Sequence, residues 1–128
     1  MKNRALFSIL IILSLGTVFI SCEDYQYTEI EKQWQLREKR INEETIPVDS
    51  VFYGFRKGVF RQLLLLTDTE SIESFGKYSE EGDNIEIKIT YNGGFVWDEG
   101  TRTFSVKSLS SSDLILEYQD TLFVFRKY

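Results

Sequence analysis

The side chains that could support catalysis are few in this sequence of 128 residues. It contains no His and one Cys, so no imidazole can act as a general base or as a zinc ligand. The run Ser110-Ser111-Ser112 has no neighbouring base, and it lies outside any Gly-x-Ser-x-Gly motif that would activate a hydroxyl. We therefore expect these serines to form a turn, and we expect the protein not to be an enzyme.

Acidic residues cluster at three places, 43–44, 80–84 and 98–99. The second cluster lacks the alternating acids and the separate bidentate Glu of a calcium loop, so a solvated turn is expected there. Asp98 and Glu99 are adjacent, and neighbours on one loop do not reliably place two carboxyl groups on opposite sides of a glycosidic bond. The sequence therefore predicts no metal site and no cofactor.

The charge balance argues against nucleic acid as a partner. The chain has 15 Lys and Arg against 20 Asp and Glu, a net charge of −5, and its basic residues form no cluster. Affinity for nucleic acid comes mostly from Lys and Arg that neutralise phosphates. Nucleotide binding has no support either, because Asn92-Gly93-Gly94 is not followed by the Gly-Lys-Ser/Thr of a phosphate loop.

The N-terminus has the pattern of a secretory signal. Lys2 and Arg4 precede an apolar run, and smaller, more polar residues follow from Gly16. The uncharged stretch 5–22 is at the lower limit of a membrane-spanning length, so a permanent span is the alternative. We predict that residues 1–21 are a cleaved signal peptide.

Cys22 distinguishes these two interpretations. Phe19-Ile20-Ser21-Cys22 resembles the lipobox of bacterial lipoproteins. The resemblance implies that the Cys22 sulfur receives a diacylglycerol, that the preceding peptide is removed, and that the new amino group is acylated, commonly with palmitate. Several acyl chains on one residue anchor a protein stably without a membrane span. The thiol would then be consumed, so no disulfide is expected.

The residues after Cys22 are acidic. Residues 22–31 are predicted to form a tether between the lipid and the folded domain, which we place at 32–128. Glu23-Asp24-Tyr25 resembles the export signal of surface lipoproteins in some Gram-negative bacteria, and a simple solvated linker is the alternative. We expect an outer-membrane lipoprotein that is exposed at the cell surface, or that otherwise faces the periplasm.

The rest of the chain predicts an all-β fold. Ile85, Ile87, Ile89 and Tyr91 alternate with polar residues, which is typical of a half-buried strand. β-branched and aromatic residues, with turn signals every eight to twelve positions, predict eight strands. They are placed at 33–41, 51–56, 59–66, 71–79, 85–91, 102–109, 113–118 and 121–127.

Short links between these strands favour antiparallel neighbours, so we expect an eight-stranded up-and-down meander that closes into a barrel. The longest irregular piece, residues 92–100, is predicted to be a loop at one mouth of the barrel. The segment 27–35 could instead open with a short helix.

Two segments, 63–66 and 122–125, are apolar on both faces. Contiguous apolar strand surface is seldom exposed, so we expect a cover from the tether, from a second copy of the protein or from a membrane protein partner.

Several motifs resemble small bacterial lipocalin-like lipoproteins, and the resemblance spans about residues 30–128. They are Trp34-Gln35-Leu36, Phe75-Gly76-Lys77-Tyr78, Trp97, 100–106, 109–114 and 120–128. The resemblance implies a small lipocalin-like barrel and names no specific function. Lipocalins open with Gly-x-Trp and bring an Arg of the last strand across that Trp. Lys32 stands in place of the Gly, and we expect Arg126 to stack on Trp34 at the bottom of the barrel, as a structural pair.

The aromatic residues suggest a function in binding. We expect a cup for a small apolar or amphiphilic ligand, with Trp97 as a lid and with Tyr hydroxyls that orient the ligand. The candidate ligand-binding residues are Tyr53, Tyr78, Tyr91, Trp97 and Tyr118. Other inward candidates are Phe55, Ile87, Phe104, Val106 and Leu116. The alternative is a barrel filled by side chains, in a structural or accessory lipoprotein that docks onto a membrane protein through the apolar strands.

Overall fold

The chain is built from antiparallel strands. The computed structural model describes residues 28–94, 96–97 and 100–128, and all regular structure there is β. The strands are β1 (Gln33–Ile41), β2 (Glu44–Pro47), β3 (Val51–Arg56), β4 (Val59–Leu65), β5 (Ser71–Glu81), β6 (Asn84–Tyr91), β7 (Thr101–Leu109), β8 (Asp113–Tyr118) and β9 (Thr121–Lys127). Within these residues, no helix is long and apolar enough to cross a membrane.

The sheet closes on itself. From β3 to β9 each strand pairs with the next, and β1 pairs with both β3 and β9. The pairing of β1 with β9 extends from Trp34 opposite Lys127 to Ile41 opposite Thr121. The result is a closed eight-stranded barrel with β2 as an additional strand beside β1, which confirms the predicted fold class.

The strand β2 was not predicted, and the reason lies in its composition. Its sequence is Glu44-Thr45-Ile46-Pro47, and all four residues are exposed. Such a segment lacks the apolar alternation that indicates a strand, and Pro is tolerated only at an edge. The suggested short helix is absent from the described part of 27–35, where a turn at residues 28–32 leads directly into β1.

One end of the barrel, which we call the Trp34 end, is closed by the turn that precedes β1. Ile30 and Trp34 are fully buried, and the Trp34 Nε1–H donates a buried hydrogen bond to the Ile30 carbonyl oxygen at 3.0 Å. Residues 28–31 therefore pack as part of the folded domain, which was predicted to begin at residue 32. Residues 22–27, the signal peptide at 1–21 and the acylation site at Cys22 lie outside the described residues.

The opposite end, which we call the Trp97 end, carries the loop between β6 and β7. The described residues of the predicted loop, 92–94, 96–97 and 100, lie outside the strands at this end, and among them Val96 and Trp97 are buried. The hairpin turns at 66–70 and 119–120 lie at the same end, while those at 57–58, 82–83 and 110–112 lie at the Trp34 end.

Gly76 marks a close approach of β5 and β6. Phe75 pairs with Tyr91, but the next residue, Gly76, pairs with Ile89, so the register between the two strands shifts at this point. A Cβ atom at Gly76 would lie 2.1 Å from the Lys88 carbonyl oxygen, far inside van der Waals contact. Only glycine fits there without moving the backbone of the neighbouring strand.

We expect Gly76→Ala to lower the free energy of unfolding by about 1–3 kcal/mol, because the added methyl group forces β5 and β6 apart. Gly54→Ala is the matched control, since its Cβ would meet nothing closer than Arg61 Cβ at 3.9 Å. Chemical denaturation of both variants measures the difference. Equal stability of the two variants would contradict the close approach of β5 and β6.

Candidate functional site

Aromatic side chains from four strands meet inside the barrel. The Tyr53 ring centroid lies 4.9 Å from that of Phe125 and 5.0 Å from that of Phe60. Phe55 extends the contact, at 5.4 Å from Phe60 and 5.1 Å from Tyr78. These spacings are those of favourable aromatic pairs. Because each ring projects from a hydrogen-bonded strand, this part of the interior is held in place by the backbone.

Trp97 reaches the same interior from the loop. Its side chain is buried, and its ring centroid lies 6.1 Å from that of Phe60 and 5.7 Å from that of Phe104. Among the described residues, it is the interior aromatic side chain that a loop rather than a strand supplies. Its buried Nε1–H has no hydrogen-bond acceptor within that same set. A buried donor left in this way costs about 1–3 kcal/mol, so within the described residues the Trp97 side chain is held by its ring contacts rather than by a hydrogen bond.

Arg102 brings a positive charge to these rings. Its guanidinium carbon lies 3.9 Å from the ring centre of Tyr118, 4.9 Å from that of Trp97 and 6.0 Å from that of Phe104. On β7, Arg102 shares the inward side with Phe104, which is 1% exposed. A cation at such distances is attracted to the ring faces by about 0.5–2 kcal/mol.

The sequence analysis did not single out Arg102, although a signal for it exists. Arg102 is two positions before Phe104 and four before Val106, both of which were predicted to point inward. Alternation along a strand then places the Arg102 side chain inside the barrel too. The sequence therefore places a charged residue at an inward position, and this could have identified Arg102 as a candidate binding residue.

The Tyr53 side chain is buried within range of the Arg102 charge. Burial raises the pKa of this phenol well above its ordinary value, and the positive charge of Arg102 opposes the increase by a smaller amount. Tyr53 therefore keeps its proton at neutral pH and can donate a hydrogen bond inside the barrel.

Side chains fill the barrel interior in this structure. Trp34, Phe55, Phe60, Phe104 and Phe125 are each at most 2% exposed. An eight-stranded barrel is just wide enough for its own side chains or for one small ligand. A ligand inside this barrel must therefore replace a side chain, and the candidate is the one that the loop supplies.

The structure brings together three of the five candidate ligand-binding residues. Trp97 and Tyr118 both lie against Arg102, and Tyr53, which is buried among the interior rings, lies within range of the Arg102 charge. Tyr78 lies apart and half-buried towards the Trp34 end, where its ring contacts Phe55. Burial is the main cause of the raised pKa of Tyr78.

Tyr91 is not inside the barrel, so its predicted inward position was wrong. It is 62% exposed, and its ring pairs with exposed Phe75 on the outer wall at 6.4 Å. The register shift between β5 and β6 is the cause. Thr90 is an extra residue on β6, because Phe75 and Gly76 of β5 pair with Tyr91 and Ile89 and leave Thr90 without a partner in the register. The extra residue reverses the side of the sheet to which Tyr91 points.

The predicted stacking of Arg126 on Trp34 was also wrong. Phe125 is fully buried, so alternation along β9 directs Arg126 outward, where it is exposed and forms an ion pair with Asp113 at 3.7 Å. The cation over Trp34 is Lys32, whose Nζ lies 5.6 Å from the ring centre. Lys32 therefore supplies the charge that the family pattern assigns to the last strand.

The two apolar segments, 63–66 and 122–125, differ in how far other side chains cover their outer faces. Phe52 lies next to Leu63 across the β3–β4 pair and is shielded by the ring of Tyr128, at 4.8 Å between centroids. Leu65 and Leu66, at the end of the first segment, remain 42% and 50% exposed. Within the second segment, Leu122 to Val124 are half-buried and Phe125 is fully buried.

A groove of about 730 Å³ lies on the outer wall beside β3 and β4, lined in part by Arg56, Val59, Arg61 and Phe75. It is open to solvent and lined by apolar as well as charged side chains, so a ligand there would keep much of its surface in water. Small-ligand sites instead bury most of the ligand surface among apolar and aromatic groups. The barrel interior at the Trp97 end fits that description better, although side chains occupy it here.

Comparisons with known proteins agree with the fold. A family model described as a lipocalin-like domain matches residues 17–128. Among curated proteins, none matches the sequence.

Two solved structures of Bacteroides proteins are similar to this chain. A lipocalin-like protein from Bacteroides uniformis has 39% identity and a TM-score of 0.72, over 79% of this chain and 100% of that one. An uncharacterized protein from Bacteroides eggerthii has 31% identity and a TM-score of 0.71, over 77% of this chain and 99% of that one. Both crystallised chains align with this chain over nearly their whole length.

Proposed function

Because the chain belongs to the lipocalin-like domain family, we propose that it binds a small apolar or amphiphilic ligand inside the barrel, at the Trp97 end. The observation that carries this proposal is the position of Trp97, a loop residue whose ring occupies the interior. The ligand takes the place of that ring when the loop moves outward.

The energetics of Trp97 support such an exchange. Burial of an aromatic side chain of this size stabilises a fold by about 4–6 kcal/mol, at about 25 cal/mol per Å². A ligand of similar apolar area recovers this free energy when it replaces the ring. The Trp97 Nε1–H has no acceptor among the described residues, so within that part of the chain the indole loses no hydrogen bond when it moves into water.

The proposed role is binding rather than catalysis, and the residues at the site support this. Tyr53, Trp97, Arg102 and Tyr118 offer ring faces, a phenol and a guanidinium. These groups bury and orient a ligand. A guanidinium already carries its proton at neutral pH, so it cannot act as a general base.

Acylation at Cys22 and location at the outer membrane are the second part of the proposal. The lipobox-like sequence before Cys22 supports it. Thr28, at the Trp34 end, is six residues further on, so the tether reaches at most about 20 Å. The Trp34 end would then face the lipid and the Trp97 end the solvent, from which a ligand can enter. This arrangement holds at the cell surface and equally in the periplasm.

Docking onto a membrane protein, with the barrel permanently filled, is the second candidate function. The exposed side chains of Leu65 and Leu66 favour it. The two candidates differ in whether the barrel admits a small molecule, so one binding experiment separates them.

We expect Trp97→Ala to bind the neutral fluorescent probe N-phenyl-1-naphthylamine about tenfold more tightly than the wild type, because the probe no longer has to displace the ring. Tyr91→Ala is the matched control, since its exposed ring lies on the outer wall, and its affinity should equal that of the wild type. Fluorescence titration of residues 23–128 measures all three affinities.

Circular dichroism confirms that each variant is folded. If no variant binds the probe, the interior is closed to ligands and the docking function gains support. Equal affinities of the wild type and Trp97→Ala would show that the probe binds somewhere other than the space held by this ring.

We expect Cys22→Ala, expressed as the full chain in a Gram-negative host, to lose incorporation of labelled palmitate and to leave the membrane fraction. Protease treatment of intact cells then separates surface exposure from a periplasmic location of the wild type. Retention of the palmitate label by Cys22→Ala would contradict acylation at this residue.

A further inference from the structure

The search for a feature that selects the ligand leads to Arg102, the charged side chain directed into the aromatic interior. Its guanidinium stacks on Tyr118 at 3.9 Å and lies over Trp97 at 4.9 Å. We infer that the ligand carries a carboxylate, and that Arg102 binds this carboxylate while the apolar part of the ligand takes the place of the Trp97 ring. This inference rests on the proposed function.

Stacking fixes the direction in which Arg102 can bind. A guanidinium that lies against a ring uses its face for that contact, and its N–H donors point outward along its edges. Those edges match the planar fork of a carboxylate, which can accept two parallel hydrogen bonds. Arg102 makes a further interaction in the fold, and with several donors it can hold a carboxylate as well.

The surroundings of Arg102 strengthen a charge pair. The side chain is half-buried beside Trp97, Phe104 and Tyr118, where electrostatic attraction is less screened than at a fully exposed position. The Tyr53 side chain is buried and keeps its proton at neutral pH, so it can act as a neutral hydrogen-bond donor inside the barrel. A cationic group gains no such pairing with Arg102, so it is disfavoured relative to a carboxylate.

Trp97 sets the size of the ligand. Its side chain has about ten non-hydrogen atoms, and the exchange is favourable when the incoming apolar group buries a similar area. Because Trp97 contacts both Arg102 and Phe104, a ligand that replaces it has its acid at Arg102 and its apolar part against Phe104. A medium-chain or aryl carboxylic acid fits this arrangement.

The test compares decanoate, decanol and decylamine as competitors of N-phenyl-1-naphthylamine on residues 23–128. We expect decanoate to bind at least tenfold more tightly than decanol, and decylamine to bind most weakly. Arg102→Met should lower the affinity for decanoate about tenfold to a hundredfold and leave that for decanol within about threefold. Arg102→Lys keeps the positive charge but not the forked arrangement of donors, so its loss of affinity for decanoate should be smaller than that of Arg102→Met.

Arg61→Met is the matched control, because Arg61 lies on the outer wall in an ion pair with Glu73 at 2.7 Å, and its affinities should equal those of the wild type. If decanoate and decanol bind the wild type equally, the preference for an acid is refuted while the binding function stands. If neither they nor the probe bind, the proposed function fails and the inference fails with it. If Arg102→Met is unfolded by circular dichroism, Arg102→Lys decides: an unchanged preference for decanoate over decanol would overturn the role of the fork.

Discussion

Backbone pairing between β1 and β9 is the constraint on which the rest of the structure depends. Because these strands are the first and last of the barrel, their pairing removes the two edges of the meander and defines an interior. The same closure brings Trp34 to one end, where its hydrogen bond to Ile30 fixes the turn that enters the barrel. The opposite end is left to the loop 92–100, and this asymmetry makes one end structural and the other a candidate entrance.

Most of the fold could be predicted from the sequence because strand alternation is a local property. Each strand with an apolar inner face was placed within about two residues of its observed bounds, whereas exposed β2 gives no such signal. Tyr91 could not be placed correctly from the sequence. The register shift reverses the side of the sheet to which Tyr91 points, but it depends on the pairing of β5 with β6 and does not alter the apolar alternation within β6. For Arg126 the alternation was a better guide than the family pattern, because buried Phe125 fixes the outward direction of its neighbour.

The candidate site was predictable in part. Trp97 and two tyrosines were named from their types, but the space that Trp97 occupies is set by how a loop folds back, which no periodicity describes. Arg102 was within reach of the alternation rule, yet a charge at an inward position conflicts with the expectation of an apolar interior. Such conflicts between local rules and burial are frequent at functional sites. The proposed exchange of a ring for a ligand depends on Trp97, and the proposed preference for an acid depends on Arg102.

The central claim is that a ligand replaces the Trp97 ring while the rest of the barrel stays in place. The chain has two tryptophans, at opposite ends of the barrel, so each reports on one end. Fluorine NMR of 5-fluorotryptophan-labelled residues 23–128, with assignment by Trp97→Phe, measures the exposure of each ring to solvent during titration with N-phenyl-1-naphthylamine. We predict that Trp97 gains a solvent isotope shift at saturation while Trp34 does not change. A saturated complex in which both rings keep their buried signals would contradict the account.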